Sequence, residues 1–220
     1  NEPLTADAGL KFGLRIVERM SDIANKYSKQ DNILYTLEQT PAESACNKLA
    51  LKDIKRFGKK AYVQGNDKGV YYSNSTHVPY NANVSLSEKV RIESAFHPLF
   101  NGGVISHFWI GESKPSISSM KNLIQKFSKT NLAYFTFSPD FSICANNHYN
   151  RGKLTKCPDC NAKIVDHINR VVGFFTRTSN WNLGKQQEYR ERRRYKLCLI
   201  QSESQTDGLR ASNYRKNNNK

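Results

Sequence analysis

The sequence predicts an α/β protein with a small zinc-binding loop. Amphipathic stretches of helical period alternate with short apolar, partly β-branched runs of strand length, the order from which crossover helices and a sheet are built. Three cysteines and a histidine crowd into the span Cys144–Cys160, at spacings that suit a metal. The 220 residues, 38% hydrophobic and 11% aromatic, are enough for one sizeable core. No apolar run reaches the roughly 18–20 residues a membrane helix needs, and no secretory leader pattern is present. Five cysteines, three of them clustered, point to a reducing compartment, and a cytoplasmic protein is expected.

Residues Thr5 to Tyr27 read as an amphipathic helix, with Leu10, Leu14, Val17, Ala24 and Tyr27 near helical spacing. Ile33–Leu37 is a short apolar run that suggests a buried strand. Thr40 with Glu43 has the pattern of a capping box and Pro41 falls at a first helical position, so a helix is expected from Pro41 to Phe57, stopped by Gly58. A helix start at the end of a buried strand exposes backbone N–H groups that can hold an anion such as a nucleotide phosphate. Cys46, inside this helix, reads as a small core residue.

Gly65-Asn-Asp-Lys-Gly69 lies between two short runs and suggests a hairpin. Ser85 or Ser87 caps a short helix through Ala95, which His97-Pro98 breaks. Asn101-Gly-Gly103 marks a tight approach before a strand over Val104–Ile110. His97 and His107 have no partner at metal spacing and are expected to be hydrogen-bonded structural residues. Glu112 follows that strand as a lone carboxylate, a weak signal for a site. A helix from Ser116 to Thr130 places Ile117, Met120, Leu123, Ile124 and Phe127 on one face, and a strand over Leu132–Phe137 follows. Lys163–Ile168 is a further strand, with His167 alternating among apolar neighbours as a structural residue.

The formal net charge is +15. A basic excess of that size suggests contact with anions. Much of it lies after Lys185, in Arg190, Arg192, Arg193, Arg194 and Lys196, and such a run reads as a solvated helix face or tail. Residues 196–220 are polar, poor in core formers and expected to be disordered.

Cys157-Pro-Asp-Cys160 lets one tight turn supply two thiolates to a tetrahedral metal, and Cys144 with His148 lies a short loop upstream. Cys-x3-His is the less usual spacing, so His148 is the uncertain fourth ligand. On the residues alone, a redox dithiol or unpaired cysteines stay open beside a closed structural zinc site. Gly173 interrupts a strand-like run between Arg170-Val-Val and Phe174-Phe175. A glycine there marks a bulge or a close backbone approach. The chemical alternative is a Cα that loses one hydrogen atom and becomes a flat radical conjugated with the flanking amides. Such a radical needs burial from oxygen, which the flanking aromatics would help to provide.

The stretch from Arg170-Val-Val-Gly-Phe-Phe through Trp181-Asn-Leu-Gly-Lys185 and Glu188 to Arg194-Tyr195 resembles the glycyl-radical segment of the anaerobic, class III ribonucleotide reductases. The preceding cysteine-rich loop resembles that family's zinc site. Leu37-Glu-Gln-Thr-Pro-Ala-Glu-Ser, Phe96-His-Pro-Leu-Phe-Asn-Gly-Gly and His107-Phe-Trp-Ile-Gly-Glu112 agree with it in the same order. The resemblance runs from Glu2 to about Tyr195. It implies the C-terminal portion of a ten-stranded α/β barrel over 1–140, a zinc loop over 141–165 and a glycyl-radical segment over 166–195.

The resemblance further implies an oxygen-sensitive enzyme that reduces ribonucleoside triphosphates to deoxyribonucleoside triphosphates, as a homodimer. An iron–sulfur activating protein using S-adenosylmethionine would generate the radical on Gly173, with formate as a candidate reductant. The zinc ligands would be Cys144, Cys157 and Cys160, with His148 in doubt because Asn147 holds the place where the family commonly has a ligand. The family's finger-loop cysteine and regulatory domain belong upstream of Asn1, and neither Cys46 nor Cys198 matches the thiyl position. The chain is therefore expected to need the upstream part of the reductase. A basic zinc-ribbon module that binds nucleic acid is the competing reading; it accounts for the charge and for Cys157 and Cys160 but leaves Gly173 unexplained.

Overall fold

The computed structural model describes residues 2–40, 42–111 and 114–197. It is a mixed α/β fold with three small sheets. Helix α1 spans Asp7–Asp31 and is closed by Asn32 in the left-handed conformation. Leu10 and Val17 bury one stripe of it against Val78, Ile92 and Phe96. The opposite stripe, Phe12, Ile16, Met20, Ile23 and Tyr27, stays exposed. The run Ile33–Leu37 is not a buried strand. Ile33 and Leu34 are 56% and 79% exposed; Tyr35 N donates to Ser28 Oγ of α1 at 2.9 Å, and the end of the segment is tied down where Gly102 N donates to Leu37 O and Gln39 N to Gly103 O, each at 2.8 Å. A Cβ on Gly102 would stand 2.9 Å from the Thr36 side chain, so the tight approach expected at Asn101-Gly-Gly103 is real.

The expected capping box does not form. Helix α2 runs Ala45–Phe57 with Ser44 at its N-cap, and the Thr40 hydroxyl instead donates to Glu38 at 3.3 Å. Glu43 lies in a turn that receives the Asn182 side-chain amide on its carbonyl, so the chain straightens into helix only after that contact. An anion site at a helix start beside Thr40 is accordingly not built; Pro41 lies outside the described residues. Gly58 ends α2 as expected. Strands β1 (Gln64–Asn66) and β2 (Gly69–Tyr71) form the expected hairpin.

Helix α3 (Leu86–Phe96) starts at Ser85, whose hydroxyl accepts from Glu88 N at 3.1 Å. Strand β3 (Ser106–Ile110), helix α4 (Ile117–Phe127) and strand β4 (Phe135–Ser138) make a parallel crossover unit, as the alternation predicts. Of the face expected on α4, Leu123 and Phe127 are buried and Met120 packs beside them, while Ile117 and Ile124 remain exposed. Strand β9 (Arg194–Tyr195) joins the other edge of β3 in parallel, giving the order β4-β3-β9. The core beneath this sheet includes Leu197, so the packed chain extends beyond Tyr195; residues 198–220, with Cys198, lie outside the described residues, as does Glu112.

The third sheet is antiparallel, in the order β6-β5-β7-β8: β5 (Phe141–Cys144), β6 (Tyr149–Arg151), β7 (Ile164–Arg170) and β8 (Phe175–Arg177). It joins the cysteine-rich loop and the Gly173 segment in one layer. Helix α5 (Leu183–Glu191) packs against the β1–β2 hairpin and α2. There a Cβ on Gly69 would lie 2.2 Å from Leu183 O, and one on Gly184 would lie 2.5 Å from Val70 O.

Candidate functional site: a metal centre and a glycine hairpin

Two turns bring together the residues expected to hold a metal. Cys144 ends β5 and His148 precedes β6, with Asn147 N donating to Cys144 O at 2.9 Å and Cys144 N to His148 O at 3.2 Å. Asn147 takes φ 60°, a left-handed conformation asparagine tolerates better than most residues. The residue that disturbs the ligand spacing is thus the one that bends the turn and carries the His148 ring to the cluster. In the second turn Cys157 N donates to Ala162 O and Asn161 N to Cys157 O, each at 2.9 Å.

The ligand atoms of Cys144, His148, Cys157 and Cys160 all lie within 4.8 Å of one another. Cys144 Sγ and Cys160 Sγ are 3.8 Å apart, and Cys157 Sγ and His148 Nδ1 are 3.6 Å apart. Zinc–sulfur bonds of about 2.3 Å in a tetrahedron give sulfur–sulfur edges of about 3.8 Å. A disulfide would need about 2.05 Å. The donor set is therefore compatible with zinc and its spacing is not that of an oxidised pair. N–H donors surround the sulfurs: His148 N lies 3.3 Å from Cys144 Sγ, and the Asn146 and Asn150 amides lie 3.4 and 3.5 Å from Cys160 and Cys157. The backbone N–H of Ala162 leads the groups that bring the Cys160 thiol down to about 6.

Gly173 stands at the tip of the β7–β8 hairpin, where Arg170 pairs with Phe175 and Val171 N donates to Phe174 O at 3.0 Å. The glycine is exposed, and Phe174 is 59% exposed. Among the described residues, the flanking aromatics do not bury it as expected. A Cβ on Gly173 would meet no atom within 4 Å, and its φ lies outside the left-handed region. Neither bulge nor close approach accounts for this glycine. Arg170 Nη1 donates to Gly173 O at 2.6 Å, its guanidinium lying 4.8 Å from the Phe175 ring centre.

Beneath the hairpin lies a buried set of charges that sequence reasoning missed. Asn182 caps α5 by accepting from Lys185 N at 2.9 Å. Lys185 Nζ donates to Glu188 Oε2 at 2.6 Å, and Arg192 Nη2 to Glu188 Oε1 at 2.7 Å; all three side chains are buried. Arg192 Nη1 also donates to Arg170 O and Asn169 Oδ1, each at 2.8 Å, and Nη2 to Val171 O at 3.2 Å. Arg194 pairs with buried Asp140, holding that carboxyl below its ordinary range against the opposing effect of burial. The basic run is thus not wholly a solvated face: Arg192 and Arg194 turn inward. Lys185, Glu188 and Arg192 stand at spacings that share one face of a helical turn, which was the available signal.

His97 is the hydrogen-bonded structural residue expected. Its Nδ1 accepts from Ala133 N at 2.9 Å and its Nε2 lies 3.0 Å from Ser106 Oγ, and burial lowers its pKa to about 4. His107 departs from the expectation: both ring nitrogens are buried without a hydrogen-bond partner, and the ring stacks on Trp109. Cys46 is buried, as expected, with Sγ 2.7 Å from Asn74 Oδ1.

The family model for anaerobic ribonucleoside-triphosphate reductase matches residues 2–195. The enzyme of that name from Enterobacteria phage T4 is 25% identical over 194 residues, covering 84% of this chain and 31% of the relative. The Escherichia coli enzyme is 26% identical over 190 residues, covering 82% of this chain and 26% of the relative. A solved anaerobic ribonucleotide reductase superimposes with TM-score 0.73 at 28% identity, over 87% of this chain and 30% of that one. The Thermotoga maritima enzyme with glycerol in its active site gives 0.67 at 27% identity, over 84% and 28%. The chain thus spans about a quarter to a third of the length of these relatives. Since the matched span takes in both the cysteine–histidine cluster and the glycine hairpin, the chain belongs to the anaerobic ribonucleoside-triphosphate reductase family.

Proposed function

We propose that the chain is the C-terminal part of an oxygen-sensitive glycyl-radical enzyme that reduces ribonucleoside triphosphates to deoxyribonucleoside triphosphates, with the radical stored on Gly173. The observation that carries this reading is that nothing around Gly173 calls for glycine, by space or by backbone angle. At such a position alanine would stabilise a protein by about 0.4–1 kcal/mol, through the unfolded chain. What glycine alone supplies is a Cα with two hydrogens and no side chain. An iron–sulfur activating protein using S-adenosylmethionine would remove one of them.

The exposure of Gly173 makes the rest of the reductase its shield. The upstream part would cover the hairpin tip and complete the ten-stranded barrel to which β4, β3 and β9 contribute. The exposed apolar stripe of α1 and the run Ile33–Tyr35 offer it surface to bury. Cys144, His148, Cys157 and Cys160 would hold zinc. When bound, the metal ties the two turns together with four protein ligands and leaves no open position for chemistry. Formate as reductant and a homodimeric assembly complete the reading. The inward pairing of Arg192 and Arg194 weakens the nucleic-acid-binding alternative, because these cations are not displayed to phosphates.

The test is anaerobic electron paramagnetic resonance of the full-length reductase after incubation with its activase, S-adenosylmethionine and a reductant. A doublet split by one α-hydrogen, lost in Gly173→Ala, is the expected result. No signal from a zinc-loaded enzyme with a competent activase would overturn the assignment.

A further inference from the structure

We propose that Arg192 is the positioning residue of the glycine hairpin, an inference that rests on Gly173 being the radical site. Three buried side chains, Lys185, Glu188 and Arg192, carry two positive charges against one negative. The surplus charge cannot be left bare in the interior and must be solvated by protein dipoles. Arg192 finds them in the carbonyls of Arg170 and Val171 and the side-chain oxygen of Asn169, the residues that lead into Gly173. Its plane is fixed between aromatic faces, 4.6 Å from the Trp109 ring centre and 5.2 Å from that of Trp181. The end of β7 is therefore bound to α5 by a rigid fork that lysine cannot reproduce.

Beyond Val172 the second arm pairs with β7 from Phe175 to Arg177, and between the two arms lies the exposed tip at Gly173 and Phe174. The tip is closed by Val171 N to Phe174 O and by Arg170 Nη1 to Gly173 O. The Gly173 Cα is accordingly carried at the end of a short arm whose root is held by Arg192. Hydrogen-atom transfer to and from that carbon demands close, reproducible approach, and misplacement by about 1 Å costs of order a hundred-fold in rate. This gives the Trp181-Asn-Leu-Gly-Lys185 segment and Glu188 a role: they seat the arginine that places the glycine.

The experiment uses the full-length reductase with Arg192→Lys and Arg192→Gln, both of which leave Glu188 paired with Lys185. Zinc content, thermal midpoint, radical per chain, radical half-life and hydrogen exchange at residues 171–174 are read together. The expected result is unchanged zinc and a midpoint lowered more in Arg192→Gln than in Arg192→Lys, because the buried acceptors of Arg192 lose their donor. Exchange in the hairpin should rise about ten-fold or more, and radical per chain should fall by about ten-fold or more. Lysine should retain more of the stability than glutamine, without rescuing the radical. Wild-type exchange and wild-type radical yield in both variants would overturn the proposal. A wild-type enzyme with no doublet would instead overturn the radical reading of Gly173, and the exchange arm would still decide whether Arg192 holds the hairpin.

Discussion

Nδ1 of His148 lies 3.6 Å from Sγ of Cys157, although the two belong to different turns of the antiparallel sheet. That distance matches a shared tetrahedral metal. Cys157→Ser and His148→Ala are each expected to lower bound zinc well below one per chain, measured by elemental analysis after gel filtration. Asn147→Val should also weaken binding without removing a ligand, because a left-handed backbone costs a β-branched residue about 1–2 kcal/mol. Asn147→Gly should retain zinc. Full occupancy in His148→Ala would count against a four-ligand site.

Gly173→Ala should separate stability from activity. Thermal or urea unfolding is expected to be unchanged or improved, by up to about 1 kcal/mol. The radical signal should vanish altogether. A clear loss of stability would mean that packing or backbone angle requires this glycine after all.

The helix that carries Glu188, the carboxylate partner of Arg192, depends on two other glycines. Gly69→Ala and Gly184→Ala each drive a methyl into backbone at 2.2 and 2.5 Å. Overpacking of that kind costs about 1–3 kcal/mol. Both variants are expected to unfold at lower denaturant concentration and to increase exchange in α5. The same substitution at Gly173, on the open side of the molecule, provides the contrast.

Burial lowers His97 from its usual value to about 4, so the folded chain keeps it neutral while the unfolded chain binds a proton below about 6.5. Its contribution is complete above pH 6.5 and is lost as pH falls toward 4, with a limiting slope of about 1.4 kcal/mol per pH unit. Urea unfolding between pH 7 and 5 should show a shallower pH dependence in His97→Gln than in wild type. Equal slopes would show that this histidine is not the titrating group.

What was legible in the sequence followed from local pattern. The helices α1, α3 and α4, the β1–β2 hairpin and the crossover from β3 to β4 all declare themselves by period, cap or turn residue. The strand expected at Ile33–Leu37 failed because an apolar run specifies a strand only when neighbours pair with it. Among the described residues it has none beyond the bridge of Glu38 to Gly103. The capping box at Thr40 and Glu43 failed for a related reason: Asn182, far along the chain, takes the Glu43 carbonyl. In the site, the four clustered residues were readable from spacing, whereas the inward turn of Arg192 was not. Its burial depends on Glu188, two tryptophans and the hairpin carbonyls converging from separate elements.

The parallel pairing of Trp109 with Arg194 sets an order of assembly. During synthesis, at roughly 5–20 residues per second, the antiparallel turns around Cys144 and Cys160 leave the ribosome well before Arg194 does. Their contacts are local and close quickly, while the edge of β3 must wait for a partner encoded far downstream. Until then β3 presents an open edge, the surface on which nascent chains aggregate. A truncation that removes β9 should therefore yield insoluble protein in which the cysteine–histidine turns still form.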